Sequence, residues 1–264
     1  MVEIHPTHAP RWHQLGLSDF GSFMRHFGSA TARGKTGVMV QRHGGGEGAW
    51  DVYFKVYEFK KPAWEFIGRR SKARREYENY KVFERLRIPA ALHLACGEER
   101  DGWGRLKRAF ILTQTIAGAE TLVDFFEHRL RERRLPEIRR VRSELMRQLA
   151  DLAWRLHEAG FFHHDLVWRN ILVTWDGKSD PPKLWFIDCP RGRFCHGPLL
   201  KARKQIKDLG SLDKTQARHC TRTERLIFFL RYLKKSRLDL PAKRLIRRVL
   251  NYRRRRWPDD WNEG

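Results

Sequence analysis

The 264-residue sequence predicts an α+β protein, strand-rich over 1–115 and helix-rich over 116–264. Three observations carry this. Short β-rich runs cluster before residue 114. One long apolar helical face runs from Ile138 to Leu156, and residues 205 to 257 read as helical and strongly basic.

Taken in order, residues 1–28 are rich in His, Trp and Gly and show no definite element. Val38-Met39-Val40 and Trp50 to Tyr57 flank the loop Gly44-Gly45-Gly46-Glu47-Gly48, which predicts a hairpin. Ser71 caps a helix running to about Arg87, and Pro89 marks its end. Phe110 to Thr113 is a further strand, and Gly118 breaks the chain. Pro136 is tolerated at the first position of a helix. Ile138, Val141, Leu145, Leu149, Leu152 and Leu156 then recur at spacings of three and four, and Gly160 closes the helix. Ile171-Leu172-Val173 and Leu184 to Ile187, separated by Asp176-Gly177 and Pro181-Pro182, predict a second hairpin.

The length suits one large or two small domains with a sizeable core. Apolar residues at 41% exclude a low-hydrophobicity disordered chain. No run of 18 apolar residues exists and the start shows no secretory h-region, so a cytoplasmic protein is expected. Cys96, Cys189, Cys195 and Cys220 form no C-x-x-C pair and read as reduced, mostly buried thiols. A formal charge of +23 favours a polyanionic partner: nucleic acid, a phosphorylated glycan or an anionic membrane surface. Nucleic acid is the weakest of these, since no helix-turn-helix, RNP or zinc-finger signature is present.

The most informative stretch is His163-His164-Asp165-Leu166-Val167-Trp168-Arg169-Asn170, of the form H-x-D-L-x-x-x-N. Asp and Asn five apart suit phosphoryl transfer. A carboxylate must orient a hydroxyl and accept its proton, and an amide oxygen must ligate the magnesium bridging the nucleotide phosphates. Asp188, 18 residues after Asn170 and beyond the hairpin, fits the main magnesium ligand. Helix, H-x-D-x-x-x-x-N, hairpin and Asp is the order found in protein-kinase-like enzymes. Such an enzyme needs a strand lysine paired with a helix glutamate. Lys55 lies in a strand run, and Glu76 shares a helix face with Ala73, Tyr77, Tyr80 and Phe83, whereas Glu78 points away. The turn Arg33-Gly34-Lys35-Thr36-Gly37 is the candidate phosphate-covering loop, with Gly34 and Gly37 as its ATP-binding glycines. A Walker A reading fails, because position 29 is Ser and a strand rather than a helix follows.

With these residues in hand, the chain resembles the bacterial lipopolysaccharide kinase family (Kdo/WaaP type). The resemblance rests on Arg75-Glu76-Tyr77-Glu78-Asn79, Leu156 to Leu166, Phe186-Ile187-Asp188 with Arg191, Asp208 to Leu212 and Arg225 to Leu233. It covers most of residues 35–235 and is most specific over 156–191. His164 stands where Arg, Gly or Lys is common, and Cys189-Pro190 replaces the commoner Phe-Asp or Phe-Gly.

The resemblance implies a two-lobed protein-kinase-like fold with a β-rich N-terminal lobe and a helical C-terminal lobe. It implies ATP-dependent, Mg²⁺-dependent phosphorylation of a Kdo or heptose hydroxyl of the lipopolysaccharide inner core. The implied location is peripheral, at the inner face of the cytoplasmic membrane. By family analogy the Gln114 carbonyl and the Ile116 N–H contact adenine. Only 19 residues separate Asp188 from Asp208, with no A-P-E motif between, which favours a small or glycan substrate over a protein. The alternatives are another phosphotransferase of this fold and a non-catalytic basic binding protein.

At the C-terminus, Lys243, Arg244, Arg247, Arg248 and Arg253 to Arg256 interleave with Leu245, Ile246, Val249 and Leu250. This reads either as an amphipathic helix on anionic lipid or as a packed terminal helix with a solvated charged face.

Overall fold

The computed structural model describes residues 1–28, 38–43, 51–131, 135–177 and 181–258. The chain divides into two compact units. The first comprises Met1–Phe83, Ala90–Ile116 and Cys189–Arg191; the second comprises Glu84–Pro89, Ala117–Asp188 and Gly192–Gly264.

The first unit is built on strands β1 (Val2–Ile4), β2 (Val38–His43), β3 (Val52–Ala63), β4 (His93–Arg100) and β5 (Leu106–Gln114). They form an antiparallel sheet in the order β1-β4-β5-β3-β2. Residues 1–28, patternless in the sequence reading, also supply helices α1 (Ala9–Gln14) and α2 (Phe20–Phe27). Asp19 caps α2 by accepting the Ser22 N–H at 3.0 Å, while Ser22 Oγ accepts the Asp19 N–H at 3.1 Å. Trp12, Phe20, Phe23 and Phe27 pack with Val52, Phe54, Val56, Leu94, Phe110 and Leu112 in one buried cluster. Side chains alternate across a strand. With Phe54 and Val56 committed to this cluster, Lys55 and Tyr57 belong to the other face. That face meets α3 (Lys72–Arg85), whose Ala73, Glu76, Tyr77, Tyr80 and Phe83 are buried. Ser71 Oγ accepts the Arg74 N–H at 3.0 Å, as expected of its N-cap.

The second unit contains β6 (Glu120–Thr121), a short helix α4 (Leu122–Asp124), the long helix α5 (Pro136–Glu158) and strands β7 (Phe161–Phe162), β8 (Ile171–Thr174), β9 (Lys183–Phe186) and β10 (Arg193–Phe194). Helices α6 (Pro198–His219), α7 (Arg222–Tyr232) and α8 (Leu240–Arg256) follow. The expected apolar face of α5 is buried through Val141, Leu145, Leu149, Leu152 and Leu156. Gly160 takes φ +75°, a left-handed conformation that β-carbon-bearing residues disfavour, and the chain turns into β7. Strands β8 and β9 are the predicted hairpin, with β6 alongside β8.

Helix α5 packs on α7, and α6 packs on α8. Three ion pairs on buried carboxylates tie the helices. The Arg142 guanidinium grips Glu224 at 2.5 and 3.1 Å. Asp213 receives Arg225 at 2.7 Å and Arg253 at 3.0 Å. At Gly210 a β-carbon would lie 2.6 Å from the Tyr252 ring, so α6 and α8 meet only because this position is glycine. The basic C-terminal segment is therefore a packed helix. Val249 and Ala242 are buried, and Arg253 is a structural residue rather than a member of a free surface cluster; Arg254, Arg255 and Arg256 are exposed. The four cysteines are buried and form no disulfide among the described residues. Among the described residues no helix is long and apolar enough to cross a membrane.

Candidate active site

In the first unit the structure brings Lys55 and Glu76 together. Lys55 Nζ donates to Glu76 Oε2 at 3.1 Å, and Tyr57 Oη donates to the same oxygen at 3.2 Å. The Glu76 side chain is 4% exposed and that of Lys55 18% exposed, so the buried carboxylate steers an ammonium that still reaches solvent. Glu78 instead pairs with Arg74 at 3.2 Å and Lys81 at 3.6 Å, which follows from its place on the other side of α3. Further along the helix, Asn79 Nδ2 donates to the Cys189 carbonyl at 2.6 Å.

Gln114 closes β5 and is exposed; its N–H donates to the Leu92 carbonyl at 2.8 Å. Ile116, two residues on, is half-buried. Gly34 and Gly37 lie outside the described residues.

In the second unit Asp165, Asn170 and Asp188 sit on connected backbone. Asn170 Nδ2 donates to the Asp165 carbonyl at 2.9 Å. A carbonyl only accepts, so the amide nitrogen is committed there and Oδ1 is the oxygen left for a ligand. The Asn170 carbonyl accepts the Ile187 N–H at 3.0 Å, extending the β8–β9 ladder to the residue before Asp188. Asp188 itself takes φ +57°. The Asp165 side chain is 35% exposed, with the Arg169 guanidinium 3.8 Å away.

What holds this loop is a residue with no catalytic signature in the sequence. Asp208, in α6, is 1% exposed. Its two carboxylate oxygens accept the His163 N–H at 2.8 Å and the His164 N–H at 3.0 Å. These bonds sustain the left-handed backbone of His164, φ +66°, immediately before Asp165. Burial pushes the Asp208 carboxyl up, but His157, His163 and His164 outweigh it and hold the group below the usual carboxylate range. Asp208 is thus an anion, as its two N–H donors require. Behind it, His157 Nε2 stands 3.5 Å from Asp208, and His157 Nδ1 lies 2.7 Å from Tyr232 Oη. Gln205 Nε2 donates to that hydroxyl at 2.7 Å. Burial lowers the His164 imidazole to about 4 against the attraction of Asp208, so it is neutral at physiological pH.

Chemically, the loop presents a solvent-reaching carboxylate, which can take a proton from a hydroxyl, beside two hard oxygen donors of the kind Mg²⁺ requires. The donor set thus fits the ion.

The comparisons agree with this architecture. A family model described as the lipopolysaccharide kinase (Kdo/WaaP) family matches residues 23–232. A solved structure titled "WaaP in complex with acyl carrier protein" is similar over 99% of both chains, at 20% identity and a TM-score of 0.73. That likeness establishes a shared fold. Among curated proteins none matches the sequence significantly. With the family match spanning well over half of its length, the chain belongs to the lipopolysaccharide kinase (Kdo/WaaP) family and is an ATP-dependent phosphotransferase of lipopolysaccharide core.

Proposed function

We propose that this chain transfers the γ-phosphoryl group of ATP to a Kdo or heptose hydroxyl of the inner core through Asp165, Lys55, Asn170 and Asp188. The first unit acts as the nucleotide-binding lobe and the second as the catalytic lobe. The observation that carries the reading is the Asp165–Asn170–Asp188 arrangement, anchored by Asp208 through two backbone N–H groups.

Lys55, steered by Glu76, binds the α- and β-phosphates. Gln114 and Ile116 offer backbone groups to adenine. Asp165 orients the acceptor hydroxyl and takes its proton as the new P–O bond forms. Asn170 Oδ1 and the Asp188 carboxylate would hold Mg²⁺, which would supply positive charge to offset the charge developing on the phosphates. Between Asp188 and the start of α6 at Pro198 lies only the two-residue strand β10, which leaves little platform for a peptide and supports a glycan acceptor. We further propose that the enzyme works at the cytoplasmic face of the inner membrane, held there peripherally.

Incubating the purified chain with Mg·ATP and either core saccharide or a generic protein tests the substrate class. Phosphate is expected on the saccharide, and phosphate on the protein alone would overturn the reading. Asp188→Ala is expected to remove the magnesium-dependent part of the thermal shift produced by ATP, because binding to the folded state raises stability by mass action. An unchanged shift with Mg·ATP would remove Asp188 from the metal site.

A further inference from the structure

From the first unit we infer a membrane-docking surface made by Trp64, Ile67 and Trp103, whose partner is an anionic phospholipid bilayer. Trp64 is 67% exposed, Ile67 42% and Trp103 77%. These are large apolar groups left in water, whereas Phe66 between them is buried and anchors the turn.

The display is built rather than frayed. Arg100 donates to the Phe66 carbonyl at 2.8 Å and the Gly104 carbonyl at 3.0 Å through Nη1. Through Nη2 it donates to the Arg69 carbonyl at 2.8 Å. One guanidinium thus ties the turn after β3 to the β4–β5 hairpin. At the hairpin tip Asp101 accepts the Trp103 N–H at 3.0 Å and the Arg105 N–H at 2.9 Å. The Arg105 guanidinium lies 4.8 Å from the centre of the Trp64 ring, joining the two loops again.

Charge chooses the occupant. Arg69 and Arg70 are exposed in the turn that carries Trp64 and Ile67, Lys72 is exposed at the start of α3, and Lys107 is exposed four residues after Trp103; Glu65 is the exposed carboxylate in the same turn as Trp64. Indole rings flanked by Arg and Lys match the headgroup layer of an anionic leaflet. There the ring sits at the polar–apolar boundary and the cations meet lipid phosphates. A turn and a hairpin tip can enter that layer without distorting the sheet behind them. In α8 the only large apolar side chain left exposed is Leu240, at the helix start, and it has no aromatic ring beside it to seat at the headgroup boundary. The inference extends the peripheral location proposed above and is independent of which sugar is phosphorylated.

Co-sedimentation with vesicles of phosphatidylethanolamine and phosphatidylglycerol tests it. The wild-type chain should bind, and should bind much less to phosphatidylcholine. Trp64→Ser/Trp103→Ser should weaken binding by about tenfold or more, with the melting temperature and phosphorylation of a soluble core saccharide unchanged. Arg69→Gln/Arg70→Gln should weaken it by about fivefold per charge, most at low salt. Brominated acyl chains should quench part of the tryptophan emission of bound wild-type protein and not that of the double tryptophan variant.

Equal vesicle binding by both variants, or no difference in quenching, overturns the proposal. So does a result in which the tryptophan pair is needed for self-association in sedimentation velocity but not for vesicle binding. Failure of the wild-type chain to phosphorylate any soluble saccharide would strike the kinase reading and leave the vesicle result standing.

Discussion

Asp165→Asn is expected to lower phosphoryl transfer by about 10²–10⁴-fold while leaving melting temperature and nucleotide affinity unchanged. The substitution keeps the shape of the side chain and removes its ability to take a proton. Stability should hold because the Asp165 side chain is one-third exposed and its nearest cation, Arg169, is 3.8 Å away and itself largely in water. An exposed pair of that kind contributes little. The loop conformation does not depend on the carboxylate either. It is held by the Asp208 bonds to the His163 and His164 N–H groups and by Asn170 on the Asp165 carbonyl, all untouched by the change. Single-turnover rates at saturating Mg·ATP give the number. Turnover within a few-fold of wild type would remove Asp165 from the role of base.

The largest stability effect is expected at Arg142→Met, at about 3–5 kcal/mol, the range for breaking a buried ion pair from one side. Arg142 is 1% exposed. Besides Glu224 it serves the Leu130 carbonyl at 3.2 Å and the His219 carbonyl at 2.5 Å, and its guanidinium lies over Phe126 at 4.5 Å. Methionine fills part of the volume and satisfies none of these acceptors. For a chain of this size the expected fall in melting temperature is roughly 6–20 °C.

The pH dependence supplies a second signature. Burial raises the Glu224 pKa, but Arg142 and the Thr221 N–H outweigh it and hold the carboxyl below the usual range. A depressed folded-state pKa contributes stability above the unfolded value of about 4.3, and that stability is lost as pH falls through the folded value. The gap between wild type and variant should therefore be widest near neutrality and shrink in acid. A gap independent of pH would mean that Glu224 is not stabilised by Arg142.

Much of this architecture is legible in sequence, for local reasons. Helix α3 announces itself through Ser71 and the repeat Ala73, Tyr77, Tyr80 and Phe83; α5 does so through Pro136, its apolar face and Gly160. The same periodicity separates Glu76 from Glu78. Strand β4 is not legible, because its first five residues are all buried and His93-Leu94-Ala95-Cys96-Gly97 shows no alternation. Helix α2 carries a readable repeat in Phe20, Phe23, Met24 and Phe27, but Gly21 and a capping box closed by Ser22 rather than Glu or Gln disguise it.

At the site, the side chains that carry chemistry stand in a recognisable order. Asp208 stands in the Asp208 to Leu212 stretch that carries part of the resemblance, but its role as the group that holds the loop is not readable there. Asp208 acts on backbone N–H groups 44 and 45 residues away, and a pairing of side chain with distant main chain leaves no periodic trace. The same is true of Tyr232, 75 residues from His157, and of Arg253, whose charge suggested surface and whose partner Asp213 is buried.

The interleaving of the two units has a consequence for synthesis on the ribosome. The first unit is nearly complete once Ile116 has been made, yet it also contains Cys189–Arg191, and Asn79 donates to the carbonyl of Cys189. That acceptor is translated long after helix α3, whose Asn79 uses it. At about 5–20 residues per second, synthesis from residue 116 to 191 takes roughly 4–15 s. Through that interval the nascent first unit must wait, holding a polar amide that its finished fold keeps out of water. The first unit therefore closes late, and a chain truncated after residue 116 lacks the Cys189 carbonyl that accepts from Asn79 in the native fold.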